Sequence, residues 1–411
     1  MAILAGVGIV LYSCTDDTLT QDEPFDLQNA LPELSEEVIF NQGSYVIEGS
    51  YIIVFDEKVT GKVGAKFGTD YSAAKGAVRQ MATNVLSDFQ MKGDIIDHVY
   101  SKTMTGVSAR LSEDQAVKLM ADKRISYIEK DQMFTLAPPP GKGPGNGGGG
   151  DDPPPAQEVP WGISRVNGGA TYTGNGVAWI IDSGIDSNHD DLNVDVGRGF
   201  NAFSKGPDSD LSSDGNGHGT HVAGTVAASD NEVGVIGVAA GATVIPVKVL
   251  DKRGSGSYSG VIAGIDHVAA EGSNGDVANM SLGGGFSQAV NDAVTEAASN
   301  GIKFALAAGN ESTDAATKSP ASANGPNIYT ISAMSQGDSW ASFSNYGNPP
   351  VDYCEPGVSI KSTWKGGGYN TISGTSMASP HACGLLLLGN IVNDGVVNGD
   401  PDGNADSIGV N

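Results

Sequence analysis

Five stretches of this chain, residues 177–181, 243–250, 277–282, 302–307 and 328–333, are almost continuously apolar and lack the alternation of a half-exposed strand. Strands that read this way are buried on both faces, the usual condition of a parallel sheet. Between them, 259–270 and 289–298 carry apolar residues at helical spacing, and Gly272 and Gly301 follow as helix terminators. Buried strands joined by helices predict an open α/β sheet, and little else accommodates them.

Ahead of that sheet the composition changes. Residues 137–156 pass through Pro138-Pro139-Pro140-Gly141, Gly147-Gly148-Gly149-Gly150 and Pro153-Pro154-Pro155, which offers almost nothing to bury and predicts an exposed linker. Before the linker, 44–136 order themselves as strand 51–55, helix 73–89, strands 95–100 and 107–111, a helix opened by the capping-box residues Ser112-Glu113-Asp114-Gln115, and strand 125–134. This is the order of a split βαβ unit, a small α+β domain of ferredoxin-like form. At 411 residues the chain exceeds what one core organises, so a large domain (157–411) and a small one (44–136) are expected.

A formal charge of -25, from 23 basic against 48 acidic residues, repels phosphate backbones and anionic headgroups and argues against nucleic acid as a partner. Most of these carboxylates need no role beyond solubility. At the start, Ala2 to Leu11 is an apolar run of signal-peptide length, too short to cross a bilayer, and Leu11-Tyr12-Ser13-Cys14 follows it. The segment resembles a bacterial lipoprotein box, which implies export, with either lipidation of Cys14 and a membrane tether or removal of an ordinary signal peptide. Residues 1–14 are read as this signal and 15–43 as a polar leader.

The chemistry lies in the large domain. Gly374-Thr375-Ser376-Met377-Ala378-Ser379-Pro380-His381 sets Ser376 among small residues at the start of an apolar helix, a place for a nucleophile. Asp182 ends the first apolar strand, and His218 stands in Asn216-Gly217-His218-Gly219-Thr220-His221. A serine, an imidazole to take its proton and a carboxylate to orient the imidazole make a triad. At the end of strand 302–307, Asn310 in Ala308-Gly309-Asn310 supplies a neutral amide for a developing oxyanion. Zinc proteases space two histidines four apart around a glutamate, whereas His218 and His221 enclose only Gly219 and Thr220.

From Gln157 to its end the chain resembles the subtilisin-like serine proteases. The resemblance is carried by Ala156-Gln157-Glu158-Val159-Pro160-Trp161-Gly162, Ser183-Gly184-Ile185-Asp186, the segment around His218, Val247-Lys248-Val249-Leu250, Gly254-Ser255-Gly256-Ser257-Tyr258, Asn279-Met280-Ser281-Leu282-Gly283-Gly284, Ala341-Ser342-Phe343-Ser344-Asn345 and the segment around Ser376. It implies a three-layer α/β fold with a mostly parallel sheet, preceded by an inhibitory propeptide domain, and an enzyme that hydrolyses polypeptides through an acyl intermediate. Ser376 then attacks, His218 transfers the proton, Asp182 supports the imidazolium, and Asn310 with the Ser376 N–H holds the oxyanion. The competing reading is a catalytically silent, peptide-binding surface lipoprotein.

The same resemblance implies that Gly254, Ser255 and Gly256 on one side and Ser281, Leu282 and Gly283 on the other flank an extended substrate. Leu282, Gly283, Gly284, Ala307, Ala308 and Gly309 would wall a pocket for a large apolar side chain, with Glu311 at the rim able to draw a basic one. It further implies structural calcium held by Gln157, Asp191 and Asn231 with carbonyls of Ser229, Val233 and Val235, a set of oxygens suited to that ion. No catalytic cofactor is expected, and the enzyme is expected to act as a monomer. Cys354 and Cys383 read as free thiols. Pro138 makes a cut after Ala137 slow, so either the first cut lies between Met133 and Leu136 or trimming within the linker by another protease completes maturation toward Ala156, leaving Gln157 free for calcium.

Overall fold

The computed structural model describes residues 46–136 and 155–411, together with the backbone of 39–40. Cys14, the leader and the linker residues 137–154 lie outside the described residues. Val38–Asn411 form one compact unit.

The small domain contains β1 (Val46–Phe55), α1 (Tyr71–Asp88), β2 (Ile96–Tyr100), β3 (Gly106–Arg110), α2 (Glu113–Met120) and β4 (Ile125–Thr135). Its antiparallel sheet has the order β4-β1-β3-β2. The capping box at α2 forms as the sequence suggests, with Gln115 N–H donating to Ser112 Oγ and Ser112 N–H to Gln115 Oε1. The domain begins earlier than position 44, because Ile39–Phe40 pair in parallel with Ile128 and Glu129 of β4. Two apolar residues in a polar leader leave no periodic signal.

The large domain is built on β5 (Ala178–Asp182), α3 (His218–Ala227), β6 (Thr243–Lys248), β7 (Ser255–Ser257), α4 (Tyr258–Glu271), β8 (Val277–Met280), α5 (Gln288–Ser299), β9 (Lys303–Ala307), β10 (Ile328–Ser335), β11 (Val351–Pro356), β12 (Ile360–Trp364), β13 (Gly368–Ile372), α6 (Thr375–Leu388), β14 (Val392–Val396) and β15 (Ser407–Val410). The main sheet runs β14-β15-β11-β10-β9-β8-β5-β6, and every pair from β15 to β6 is parallel. All five apolar runs are strands of this sheet. One face packs under α4 and α5 through Trp179, Val247, Ile262, Ile265, Val294 and Phe304. The other packs under α3 and α6 through Ile180, Val222, Val226, Ile331, Ala378 and Leu386. The three layers thus follow from strands with no polar face.

The sequence reading differs from the structure at several points. Gly301 takes φ +88 after the last turn of α5, but Gly272 ends α4 in extended geometry (φ -76), with its N–H on Val268 O. The linker is shorter than 137–156, since Pro155 and Ala156 already pair with the large domain at Gly234 and Val233. The hairpin β14–β15 extends the sheet, yet β14 is solvent-exposed throughout and its Asn, Asp and Gly leave no apolar run to read. Cys354 and Cys383 are unpaired and buried in separate clusters, and burial pushes both thiols up.

The two domains share a polar seam. Asp131 of β4 accepts from Ser259 N–H (3.0 Å) and Ser259 Oγ (2.6 Å) at the start of α4. Glu129 accepts from Ala289 N–H (3.1 Å) and Ser287 Oγ (2.7 Å) at the start of α5. Each carboxylate satisfies orphan donors at a helix N-terminus, where the backbone dipoles also favour negative charge. In return, Asp266 of α4 accepts from the N–H groups of Ser101, Lys102 and Thr103 and from Tyr71 Oη of the small domain. Truncating Asp131 to Ala leaves those donors buried without an acceptor. Asp131→Ala should therefore destabilise the precursor by about 1–3 kcal/mol in denaturant unfolding.

Candidate active site

Asp182 is the last residue of β5 and fully buried. His218 opens α3, and its Nδ1 lies 2.9 Å from both Asp182 carboxylate oxygens. The approach depends on Gly219: a Cβ there would stand 2.2 Å from Gly184 O and 3.2 Å from Asp182. Burial pulls the imidazole pKa down, but the Asp182 carboxylate, helped by Asp214, outweighs it and holds His218 above its ordinary 6.5. His221, by contrast, is buried with Nε2 on Ile360 O, and burial drives it down to about 3. It is a neutral core residue facing away from the cleft chemistry.

Ser376 is the second residue of α6. Its Oγ donates to Ser281 O (3.1 Å), and no hydrogen bond joins it to His218. The Asp–His half of the triad is thus formed, while the Ser–His half requires the serine to leave the Ser281 carbonyl, a looseness common before substrate binds. Asn310 Oδ1 accepts from Thr375 N–H (2.8 Å) and Thr375 Oγ1 (3.0 Å), which turns the amide nitrogen toward the nucleophile. A Cβ placed on Gly374 would be 3.6 Å from both Asn310 Nδ2 and Oδ1 and 3.7 Å from the Ser376 nitrogen, so the two donors lie close together beside the nucleophile. An oxyanion there is stabilised as charge develops.

Beside Ser376 lies a cleft lined by Leu282, Gly283, Gly284, Ala307, Ala308, Gly309 and Asn310, the walls the sequence suggests. Leu136 of the small domain lines it too. Strand β4 enters as an added strand: Met133, Phe134 and Thr135 pair antiparallel with Ser257, Gly256 and Ser255, and Leu136 N–H donates to Gly254 O (2.9 Å). Phe134 fixes this register by stacking on Tyr258, with ring centroids 4.1 Å apart. Within the large domain, and among the described residues, the end of β4 pairs with the Gly254–Ser257 edge. Ser281 instead faces Ser376, accepting from its Oγ and donating Oγ to its carbonyl. Glu311 at the rim accepts from Asn345 Nδ2 (2.7 Å), and Lys318 Nζ lies 3.8 Å from its carboxylate.

A second cluster sits away from the cleft. Asp191, fully buried, accepts from Asn231 Nδ2 (2.9 Å), Val235 N–H (3.1 Å) and Tyr369 Oη (3.2 Å), all neutral donors. Gln157 Nε2 reaches Ser229 O (2.9 Å), while the carbonyls of Val233 and Val235 accept no hydrogen bond among the described residues. Gly234 makes this packing possible, because it has φ +66 and a Cβ there would lie 1.9 Å from Tyr369 Oη.

Sequence reasoning missed Asp214. This buried carboxylate accepts from Gly217 N–H (2.8 Å), Thr220 N–H (2.9 Å) and Thr220 Oγ1 (2.8 Å), capping the first turn of α3 where His218 stands. It also accepts from Ser183 Oγ (2.9 Å), which itself accepts from Gly219 N–H (3.0 Å). Asp214 therefore ties the histidine helix to the strand end bearing Asp182. An acidic residue four positions before the histidine was the available signal, but a loop Asp among Ser, Gly and Asn reads as ordinary turn chemistry. Asp214→Asn keeps the size, removes the charge and puts an amide against donors. It should lower kcat by about 10- to 100-fold through misplacement. Because Asp214 raises the His218 pKa, its loss should also move the acid limb of the pH–rate profile to lower pH.

Comparison with known proteins places this geometry. Residues 176–392, more than half of the chain, match the model of the subtilase family, and residues 50–137 match that of peptidase inhibitor I9. The chain is 41% identical over 303 residues to the subtilisin-like serine protease AsES of Sarocladium strictum, covering 70% of this chain and 71% of that protein. It is 41% identical over 294 residues to subtilisin NAT of Bacillus subtilis subsp. natto, again covering 70% of this chain and 71% of the relative. Among solved structures, that of a cold adapted subtilisin-like serine proteinase matches with TM-score 0.52 and 38% identity, over 60% of this chain and 96% of that one. The protein belongs to the subtilase family: it is a serine endopeptidase that carries an I9-type inhibitor domain ahead of its catalytic domain.

Proposed function

We propose that this endopeptidase is made as an exported zymogen whose propeptide first occupies the cleft as a product-like strand and is then cut by the enzyme's own Ser376. The single observation behind this reading is the run of β4 along Ser255–Ser257, ending with Leu136 in the cleft beside Ser376. Its register keeps Met133 and Phe134 back along the edge strand and places Leu136 in the cleft, which supports a first cut on the C-terminal side of Leu136. Cleavage passes through Ser376 attack on the carbonyl, proton transfer to His218 Nε2, an oxyanion at Asn310 Nδ2 and the Ser376 N–H, and return of the proton to the leaving amine. The substrates are polypeptides. Small pocket walls at Gly283, Gly284, Ala307 and Gly309 favour a large apolar side chain, and the Phe134–Tyr258 stack favours an aromatic one further upstream.

Gln157, Asp191 and Asn231, with the carbonyls of Ser229, Val233 and Val235, constitute the calcium site in this reading. The fit rests on a buried carboxylate that has only neutral partners and on the Val233 and Val235 carbonyls, which accept no hydrogen bond among the described residues. Bound calcium would contribute charge and rigidity to this loop and take no part in the chemistry. Export follows from the apolar run before Cys14, and a membrane tether through Cys14 is its finer form. The folded enzyme acts as a monomer.

Ser376→Ala should abolish peptide hydrolysis and leave the precursor uncut, with mass spectrometry of wild type locating the new N-terminus after Leu136. Wild-type maturation in the variant, other proteases excluded, would disprove self-processing. Chelation should lower the thermal midpoint of the mature enzyme, by the equivalent of about 3 kcal/mol if calcium had stood at a hundredfold excess over its Kd. An unchanged midpoint would remove the calcium site.

A further inference from the structure

We propose that the calcium cradle is already assembled in the uncut precursor, so that the metal loads before the propeptide is removed. The inference rests on the calcium reading above and concerns its order relative to cleavage. Two anchorings coexist in this chain. At one end, Leu136 N–H is bonded to Gly254 O in the cleft. At the other, Gly234 N–H donates to Pro155 O (2.7 Å), Gln157 N–H to Glu232 O (2.9 Å) and Glu158 N–H to Gly234 O (3.0 Å). These three bonds seat Gln157, and its side chain then reaches Ser229 O.

The covalent chain permits this because eighteen residues, 137–154, separate the two anchors. Fully extended, that many residues reach about 60 Å, more than the diameter of a domain of this size, whose radius of gyration is about 18 Å. A connection of three residues would reach only about 10 Å and would force a choice between the anchors. In this proposal Gln157 is seated while β4 still fills the cleft, with no need of prior trimming toward Ala156. Cutting the precursor has no ligand to deliver, and its consequence is confined to the cleft.

The test uses the full-length Ser376→Ala precursor, shown intact by mass spectrometry, alongside the mature wild-type enzyme. Both are stripped with chelator and titrated with calcium chloride, reading the thermal midpoint and, by calorimetry, bound calcium. The precursor should bind calcium and gain a midpoint shift comparable to that of the mature enzyme. Asp191→Ala in the precursor should lose that response. Gln157→Ala, at a half-exposed position where misfolding is not at issue, should weaken calcium binding by at least tenfold. A mature enzyme that responds beside a precursor that does not would overturn the inference and leave the calcium site standing. Silence in both would overturn the site and the inference together. Equal calcium binding by the Gln157→Ala and parent precursors would show that Gln157 is not engaged before cleavage, and would also overturn it.

Discussion

A parallel sheet buried on both faces is the constraint from which the rest of this enzyme follows. Its strands from β15 to β6 point one way, so their carboxyl ends gather at a single edge, where the chain must turn and polar side chains escape the core. Asp182 ends β5, and Asn310 follows β9 by three residues. Helices α3 and α6 cover the same face of the sheet and begin at that edge, which brings His218 and Ser376 to it from residues far apart in sequence. None of these positions is free to move without unpacking a strand or a helix, and rigid support of this kind keeps reacting groups in register.

The electrostatics of the edge are arranged around buried carboxylates that meet donors instead of water. Asp182 faces the imidazole, and Asp214 binds the first turn of the histidine helix and Ser183 together. Lys248, itself fully buried, donates Nζ to the Ser183 carbonyl behind them. A buried charge is costly unless it is paired or hydrogen-bonded, so each of these groups constrains its neighbours as strongly as it is constrained.

The propeptide uses the same physics in reverse. Its carboxylates Asp131 and Glu129 supply acceptors to the starts of α4 and α5, and Asp266 of the enzyme supplies one to the propeptide backbone. Hydrogen bonds of this kind are directional, so they set the angle at which β4 enters the cleft, and the Phe134–Tyr258 stack sets how far it runs. The inhibitor domain and the enzyme complete each other's unsatisfied backbone groups and share an apolar cluster in which Ile52, Val54, Tyr100, Met104 and Phe134 join the core of the large domain, which makes the precursor a single unit although the inhibitor domain also has a core of its own.

Much of this was legible in the sequence. The five apolar runs gave the sheet, the alternation upstream gave the inhibitor domain, and small residues around Asp182, His218, Ser376 and Asn310 marked sites where backbones approach closely. Those signals are local, because periodicity, capping and glycine each act within a few residues. What the sequence did not disclose depends on partners distant in the chain: Asp214 serving Ser183 and the histidine helix, Glu129 and Asp131 capping helices more than a hundred residues away, Lys318 neutralising Glu311, and Gln157 seated while the cleft is still filled. A carboxylate in a loop reads alike whether it meets water or a helix end, since composition carries no record of what folds against it. The sequence by itself determined the architecture and the identity of the reacting groups. Only the tertiary structure decided which charges are shared, and between which elements.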